Sequence, residues 1–273
     1  MNKPQNSKLS FFKTFVCVSA LTLSFVTNLA QAQTAANFPI KTIKIVVPFG
    51  AGGIADLTAR TVGAKMAEIL GQAVVIENKP GAGGIAAGEL VAKSEPDGST
   101  LLLMSNGTAV SASLFKSLPF DTVKDFAPVS TLGFFDITLV TKADSQFKTL
   151  ADLLSFAKAN PGKLNVGTIN IGSTQNLAAE LFKSTAGINI QIVPFNGTPA
   201  VITALRGGQI DAAVEILGPV KTQIDAKAIH ALAVMGLKRA HSMPNVPTAK
   251  ESGVTNMNAA SWNALAVSAK TPK

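Results

Sequence analysis

The stretch IKIVVPFGAGGIADLTARTVGAKMAEIL (43–70) decides the fold class. Its opening, IKIVVPF, is an almost continuous apolar and β-branched run, which predicts a buried strand. From Gly52 onward, apolar residues recur at helical spacing and predict a helix over 52–70. A continuously apolar strand followed at once by a helix is typical of a parallel sheet that is covered on both faces.

The same alternation recurs along the chain. Predicted strands cover 74–78, 100–106, 134–142, 164–168, 190–195, 210–216 and 229–236, and predicted helices cover 85–94, 149–160, 176–187 and 199–208. The alternation is interrupted near 134–142 and then resumes. This pattern predicts an α/β protein of two lobes, each a mostly parallel sheet flanked by helices, joined by strands that cross between them. Ligands bind at the carboxyl ends of such strands, so the candidate turns are 49–56, 105–108, 168–176, 195–199 and 216–219.

Residues 1–32 have the features of a secretory signal peptide. Lys3, Lys8 and Lys13 precede an apolar run, and Ala30-Gln31-Ala32 predicts cleavage after Ala32. The alternative is a membrane anchor, but the run is shorter than the ~20 residues that span a bilayer. The one cysteine of the chain, Cys17, lies inside this run. We therefore expect an exported, soluble and monomeric periplasmic protein without disulfides.

Charge and composition disfavour two classes of function. The chain has 24 Lys and Arg against 16 Asp and Glu, and the basic residues are scattered singly. The absence of Tyr and the single Trp also argue against aromatic stacking platforms for bases, so we expect no nucleic-acid partner. His230 and His241 have no companion His or Cys at ligand spacing, and no G-x-S-x-G motif occurs. We therefore expect neither a metal site nor an enzyme.

The hexapeptide GAGGIA occurs twice, at 50–55 and 81–86, and both copies fit the dinucleotide pattern G-x-G-x-x-A. The first copy follows a strand and opens a helix, a position that suits a carboxylate as well as a pyrophosphate. A dinucleotide site also needs an Asp or Glu about 20 residues past the turn to hydrogen-bond the ribose. There is no good candidate, since Glu68 is mid-helix and Glu77 ends the next strand. The second copy follows no strand, and we interpret its glycines as turn geometry and close packing. No cofactor is expected.

Several segments in order resemble one family of transport receptors. VVPFGAGGIADLTAR (46–60), ENKPGAGG (77–84), GSTQNLAAELFK (172–183) and VPFNGTPAVITALRGGQID (193–211) resemble the Bug-type receptors of tripartite tricarboxylate transporters. The resemblance covers nearly all of the chain after Ala32. It implies a two-lobed, type II-like periplasmic binding protein that closes on a small carboxylated solute and delivers it to a membrane permease. It also implies lobe 1 at 33–140, lobe 2 at 141–234 and a return to lobe 1 at 235–273.

The candidate ligand-binding residues lie in these turns. Backbone N–H groups, hydroxyls and bridging waters are the groups that the resemblance implies for holding carboxylate oxygens. Asp56 is either part of the site or a cap on helix amides, and Glu215 is either a cleft acid or a surface acid. The full candidate set is Phe49, Gly50, Ala51, Gly52, Gly53, Asp56, Ser105, Asn106, Gly107, Thr168, Ile169, Gly172, Ser173, Thr174, Asn176, Phe195, Asn196, Gly197 and Glu215.

The chain departs from the family pattern at several positions. Asn176 stands where the family usually has His, Asn196 where it has Lys, and Gly50 where Pro is frequent. We therefore expect a solute with fewer carboxylates, or one with a polar or aromatic distal end. The family pattern continues for several tens of residues beyond Lys273, so we expect a truncated chain with an exposed apolar patch on the first lobe. A receptor for a signalling partner and a non-functional remnant are alternative functions.

Overall fold

One mixed sheet forms the centre of the protein. The computed structural model describes residues 38, 39 and 41–272, so the predicted signal peptide lies outside the described residues. Within the described part, the strands are β1 (Ile43–Val47), β2 (Val74–Asn78), β3 (Thr100–Ser105), β4 (Phe126–Lys142), β5 (Asn165–Ile169), β6 (Gln191–Phe195), β7 (Ala212–Ile216), β8 (Ile229–Val234) and β9 (Ala260–Ser268). Their order is β2-β1-β3-β9-β4-β7-β5-β6, and β8 pairs with β4.

The helices follow the strands as the alternation predicts. They are α1 (Ile54–Leu70), α2 (Ile85–Ala92), α3 (Asn106–Leu114), α4 (Leu150–Ala159), α5 (Thr174–Thr185), α6 (Thr198–Arg206) and α7 (Leu217–Asp225), with a 3₁₀ turn at Ala82–Gly84 before α2. None of the helices described is both long and apolar enough to cross a membrane. From Thr42 onward, strands and helices belong to one compact unit.

Strand β4 joins two halves of the sheet. Its first part, Phe126–Asp136, pairs antiparallel with β9. Its last part, Ile137–Lys142, lies between β7 and β8. We call β2, β1, β3, β9 and the first part of β4 the first half, and we call β6, β5, β7, β8 and the last part of β4 the second half.

Each half contains a parallel core of the predicted kind. β1 is parallel to β2 and to β3, and β5 is parallel to β6 and to β7. All five residues of β7 are buried, and four of the five in β1 are buried. Because helices pack on these strands, the side chains of β1 and β7 are apolar without alternation, apart from Lys44 and Glu215. The parallel connections place β1, β3, β5 and β6 with their carboxyl ends toward the boundary between the halves.

The sequence prediction missed three elements and shortened a fourth. Helix α3 begins directly after β3 and has the composition of a loop, and α7 contains Gly218-Pro219 near its start. β9 was not predicted, and β4 begins at Phe126 instead of residue 134. Its early part contains Pro128 and Gly133, which interrupt a strand pattern and mark register shifts in its pairing with β9. The predicted lobe boundaries and the apolar patch on the first lobe stay predictions.

Candidate functional site

A cleft lies between the first and second halves, where the carboxyl ends of the strands meet. Its cavity volume is about 20 Å³, room for about one water molecule, so a larger solute requires the halves to separate. Loops after β1, β3, β5 and β6 form its walls, and β9 adds two residues. The lining residues are Phe49, Gly50, Gly53, Ile54, Ala55, Ser105, Ile169, Thr174, Gln175, Gly197, Thr198, Ser261 and Asn263. We call this space the cleft.

Four helix N-termini line the cleft. Gly53, Ser105 and Gly197 are the N-cap residues of α1, α3 and α6, and Thr174 is the first residue of α5. The first N–H groups of a helix have no intrahelical acceptor, and the helix dipole gives this end a partial positive charge. In α1, for example, the Leu57 N–H donates to the Gly53 carbonyl at 3.0 Å, so the N–H groups before it are left for other partners. The cleft is therefore suited to an anion.

The polar side chains of the cleft are uncharged. Among the described residues that line it, none is Lys, Arg or His. Ser105 is buried and forms a capping box with Thr108, whose Oγ1 accepts from the Ser105 N–H at 3.4 Å. Within the described part of the chain, Ser105 Oγ faces the Thr108 N–H without a hydrogen bond of good geometry. A buried hydroxyl without a partner is costly, so this oxygen is well placed to bond a solute. The positive potential of the cleft thus comes from backbone dipoles and not from cationic side chains.

Glu215 lies behind the cleft wall. Its side chain is 0% exposed, and its Oε2 accepts hydrogen bonds from Gln175 Nε2 at 3.2 Å and Thr198 Oγ1 at 3.0 Å. Its Oε1 is buried without a partner in the described structure. Burial raises the pKa of Glu215 to about 7, although hydrogen bonds from Gln175, Thr198 and the Ile216 backbone act against that rise. The surface alternative for this acid is therefore wrong.

Asp56 organises the loop before α1 and does not line the cleft. Its Oδ2 accepts from the Gly52 N–H at 3.0 Å and from Arg60 Nε at 3.0 Å. Burial alone would raise the pKa of Asp56, but hydrogen bonds from Arg60, Gly52 and Asn78, together with the Arg60 charge, hold it below its ordinary value. Asn78 Nδ2 also donates to the Phe49 carbonyl at 3.0 Å. The sequence analysis missed Arg60 and Asn78, which fix the cleft loop through Asp56.

The loop after β5 is held by its own side chains. Ser173 caps α5 by accepting from the Asn176 N–H at 3.1 Å. Asn176 in turn accepts from the Gly172 N–H at 3.1 Å and donates to Thr168 Oγ1 at 3.3 Å. Asn106 joins the two halves, because its Oδ1 accepts from Thr174 Oγ1 at 3.3 Å. Apart from Thr174, which lines the cleft, these side chains shape the cleft from outside it.

Glycines allow the halves to touch through their backbones. A Cβ on Gly50 would lie 2.2 Å from the Asn196 carbonyl oxygen, and a Cβ on Gly107 would lie 2.4 Å from the Gly172 carbonyl oxygen. The Gly83 N–H donates to the Ile171 carbonyl at 2.9 Å across the same boundary. Both GAGGIA copies therefore contact the opposite half, the first through Gly50 and the second through Gly83.

Gly83 and Gly84 of the second GAGGIA copy serve turn geometry and close packing, as the interpretation of that motif predicted. Gly83 and Gly84 have φ of 59° and 69°, in the left-handed region. A Cβ on Gly83 would lie 2.1 Å from the Phe115 ring, and one on Gly84 would lie 2.9 Å from Pro48. The contact between Gly83 and Ile171 was not predicted, because it depends on the arrangement of the two halves.

The structure brings part of the candidate set to the cleft. The members that line it are Phe49, Gly50, Gly53, Ser105, Ile169, Thr174 and Gly197. The members that lie around it are Ala51, Gly52, Asp56, Asn106, Gly107, Thr168, Gly172, Ser173, Asn176, Phe195, Asn196 and Glu215. Lining residues that the sequence analysis missed are Ile54, Ala55, Gln175, Thr198, Ser261 and Asn263. The candidates' individual ligand-binding roles stay predictions.

Comparison with known proteins identifies the family. The sequence model described as "Tripartite tricarboxylate transporter family receptor" matches residues 58–273. The chain belongs to this receptor family. It is 38% identical over 258 residues to a UPF0065 protein of Bordetella pertussis, in an alignment that covers 93% of this chain and 78% of that protein. The resemblance seen in the sequence is thereby confirmed.

Solved structures of similar proteins agree with the receptor fold. The periplasmic binding protein BugD superposes with a TM-score of 0.82 at 31% identity, covering 86% of this chain and 79% of that chain. The Rhodopseudomonas palustris protein Rpa4515, solved with adipate, superposes with a TM-score of 0.83 at 32% identity, covering 87% and 80%. The predicted two-lobed periplasmic binding protein fold is confirmed, and the family is one of binding proteins and not of enzymes.

Proposed function

We propose that this protein is an extracytoplasmic receptor that binds a small carboxylated solute in the cleft and delivers it to the membrane permease of a tripartite transporter. The observation that carries the proposal is the meeting of four helix N-termini at one cleft that has no charged side chain in its lining. Such a site stabilises an anion by N–H groups and hydroxyls. The adipate held by a protein of the same fold and 32% identity supports the same class of solute.

Binding in this proposal is hinge closure without chemistry. α1 and α3 follow strands of the first half, and α5 and α6 follow strands of the second half. A solute carboxylate would first meet the N–H groups of one half, and closure would bring the N–H groups of the other half onto it. The contact of Gly50 with Asn196 shows how close the backbones come when the halves meet.

The uncharged lining also bears on the class of solute. The Asn176 side chain is occupied by hydrogen bonds inside its own loop. The backbone carbonyl oxygen of Asn196 lies toward Gly50. Neither position supplies a positive charge for a second or third carboxylate. The proposed solute is therefore a monocarboxylate or a dicarboxylate, and a tricarboxylate is expected to bind more weakly.

The remaining parts of the proposal concern location and partners. The sequence of residues 1–32 supports export to the periplasm with cleavage after Ala32. The family of the chain supports a membrane permease as the proposed partner. The mature receptor is proposed to act as a monomer.

Isothermal titration calorimetry on the exported protein tests the function. The panel is benzoate, adipate and citrate, with NAD as a nucleotide control. We expect binding of at least one of the first two, weaker binding of citrate and no binding of NAD. Heat with NAD alone, or no heat with any carboxylate, would contradict the receptor function.

A matched pair of serine variants tests the site. Ser105 lines the cleft, whereas Ser113 lies exposed on the same helix, α3. A hydrogen bond to a charged group contributes about 1.5–3 kcal/mol, so Ser105→Ala should weaken carboxylate binding roughly 10- to 150-fold. Ser113→Ala should bind as the unmodified protein does. Equal affinities for both variants would place the solute elsewhere.

A further inference from the structure

Glu215 presents an unusual combination of features for an anion receptor. Its carboxyl is 0% exposed, yet both donors to its Oε2, Gln175 and Thr198, also line the cleft. A solute bound in the cleft would therefore be separated from this carboxyl by a single layer of side chains. Two negative charges so close in a medium of low dielectric constant repel strongly.

Among the residues that the structure describes, no cation compensates the ionised form of Glu215. The groups that act on its carboxyl are Gln175 from α5, Thr198 from α6 and the Ile216 N–H, all of them neutral. Thr138, opposite it on β4, donates its hydroxyl to the Ala233 carbonyl. β5 has no charged residue. The other elements around Glu215 that carry charged residues are β4, α5, α6 and α7. These residues are exposed or partly exposed, and none acts on the Glu215 carboxyl: Asp136, Lys142, Glu180, Lys183, Arg206, Lys221 and Asp225.

Across the cleft, the positive charge of Arg60 is already engaged on the first half. Its Nη2 lies 3.0 Å from Asp56 Oδ1 and also bonds Asn78. Among the described residues, Glu215 thus has two side-chain donors on Oε2, an Oε1 without a hydrogen bond of good geometry, and no counter-ion. The free-energy cost of keeping Glu215 ionised is therefore highest when a second anion enters the cleft.

We propose that Glu215 takes up a proton when the cleft closes on an anionic solute, so that solute and proton bind together. The proposal rests on the receptor function proposed above and makes Glu215 a positioning residue, which acts through Gln175 and Thr198. The proton comes from solvent and stays on the carboxyl until the solute leaves. A solute that carries an ammonium group beside its carboxylate would instead favour the ionised form.

The direction of the pH dependence follows from burial. Without solute, burial raises the pKa of Glu215 to about 7, and a bound anion raises it further. Below pH 7 the carboxyl already carries its proton, so affinity is at its maximum there. As pH rises above 7, the proton must be acquired on binding, and affinity falls. Between pH 6.5 and pH 8, Kd should weaken roughly eightfold, provided that the pKa with solute bound lies well above 8.

Calorimetry in two buffers of different ionisation enthalpy, phosphate and Tris, measures the protons taken up. With adipate and benzoate as probes, we expect about one proton per bound solute at pH 8 and less than about a third of a proton at pH 6.5. Glu215→Gln should bind without proton uptake and with the same Kd at both pH values. Glu180→Gln, an exposed acid on α5, should behave as the unmodified protein does.

The outcomes separate this proposal from the function on which it rests. Binding by the unmodified protein without proton uptake at pH 8 overturns the role of Glu215 and leaves the receptor function standing. Affinity that rises with pH overturns the proposed proton uptake by Glu215 in favour of an ammonium-bearing solute. Proton uptake that persists in Glu215→Gln assigns the proton to another group. Absence of heat with every carboxylate overturns the receptor function and this proposal with it.

Discussion

A single methyl group at position 50 should hold the two halves apart. An alanine Cβ there would lie 2.2 Å from the Asn196 carbonyl oxygen and 3.3 Å from its carbonyl carbon. Carbon and oxygen in favourable contact stand about 3.3–3.6 Å apart, so the loops must separate by roughly 1 Å. Gly50 has no left-handed φ, so its backbone accepts alanine without strain. The contact between the halves is the feature that Gly50→Ala changes.

The size of the effect follows from the cost of overpacking. Forcing an extra methyl group into a close contact costs about 1–3 kcal/mol. If the closed arrangement carries that cost, solute binding weakens roughly 5- to 150-fold. The stability of the solute-free protein should change little, because the halves can separate. Small-angle X-ray scattering should show that saturating solute reduces the radius of gyration of the unmodified protein more than that of Gly50→Ala.

The repeated hexapeptide supplies a matched control. Gly81 is the first glycine of the second GAGGIA copy, its φ of 175° is extended, and nothing lies within 4 Å of a Cβ built there. Gly81→Ala should therefore bind solute within about twofold of the unmodified protein. If Gly50→Ala binds solute as tightly as Gly81→Ala does and compacts equally, closure does not bring Gly50 against Asn196, and the reasoning fails.

Four other predictions concern individual residues. Burial raises the folded-state pKa of Glu215 to about 7 from 4.5, so the free energy of unfolding should fall by about 3 kcal/mol between pH 4 and pH 8, relative to Glu215→Gln. Urea unfolding measures this difference, and parallel pH profiles of the two proteins would contradict it. Gly83→Ala should destabilise the fold by about 2 kcal/mol or more in the same assay, because its φ is 59° and its Cβ would meet the Phe115 ring; unchanged stability would show that the loop can move away. Trp262, whose backbone N–H donates to Asn106 Oδ1 at 3.2 Å, should change its emission when solute closes the cleft, and a constant spectrum with a proven solute would remove it as a reporter. N-terminal sequencing of the exported protein should begin after Ala32, and an intact N-terminus would favour the membrane anchor.

The turns that form the cleft could be predicted from the sequence, because they follow from strand order. Buried strands with continuous apolar runs indicate a parallel sheet, and parallel sheets place their binding loops at the carboxyl ends. Phe49, Ser105 and Thr174 were found in this way. Ser261 was not, because its strand, β9, joins the sheet between β3 and β4 from far along the chain.

The roles of individual side chains depend on contacts that no local pattern contains. Gln175 hydrogen-bonds Glu215, which is 40 positions away in the sequence. The Asn263 side chain hydrogen-bonds Thr58, which is 205 positions away. Glu215 was left between a cleft position and a surface position for this reason. Its burial is set by α5 and α6 packing over the end of β7, which is a property of the assembled sheet.

The continuity of β4 through both halves has a consequence for affinity. A solute held by the N-termini of one half meets those of the other at an effective concentration that is fixed by the chain and independent of protein concentration. Two weak sets of contacts, each releasing its carboxylate quickly by itself, can then combine into one tight complex. Loosening either set restores fast release, so a permease that pulls the halves slightly apart would need to break only one of them.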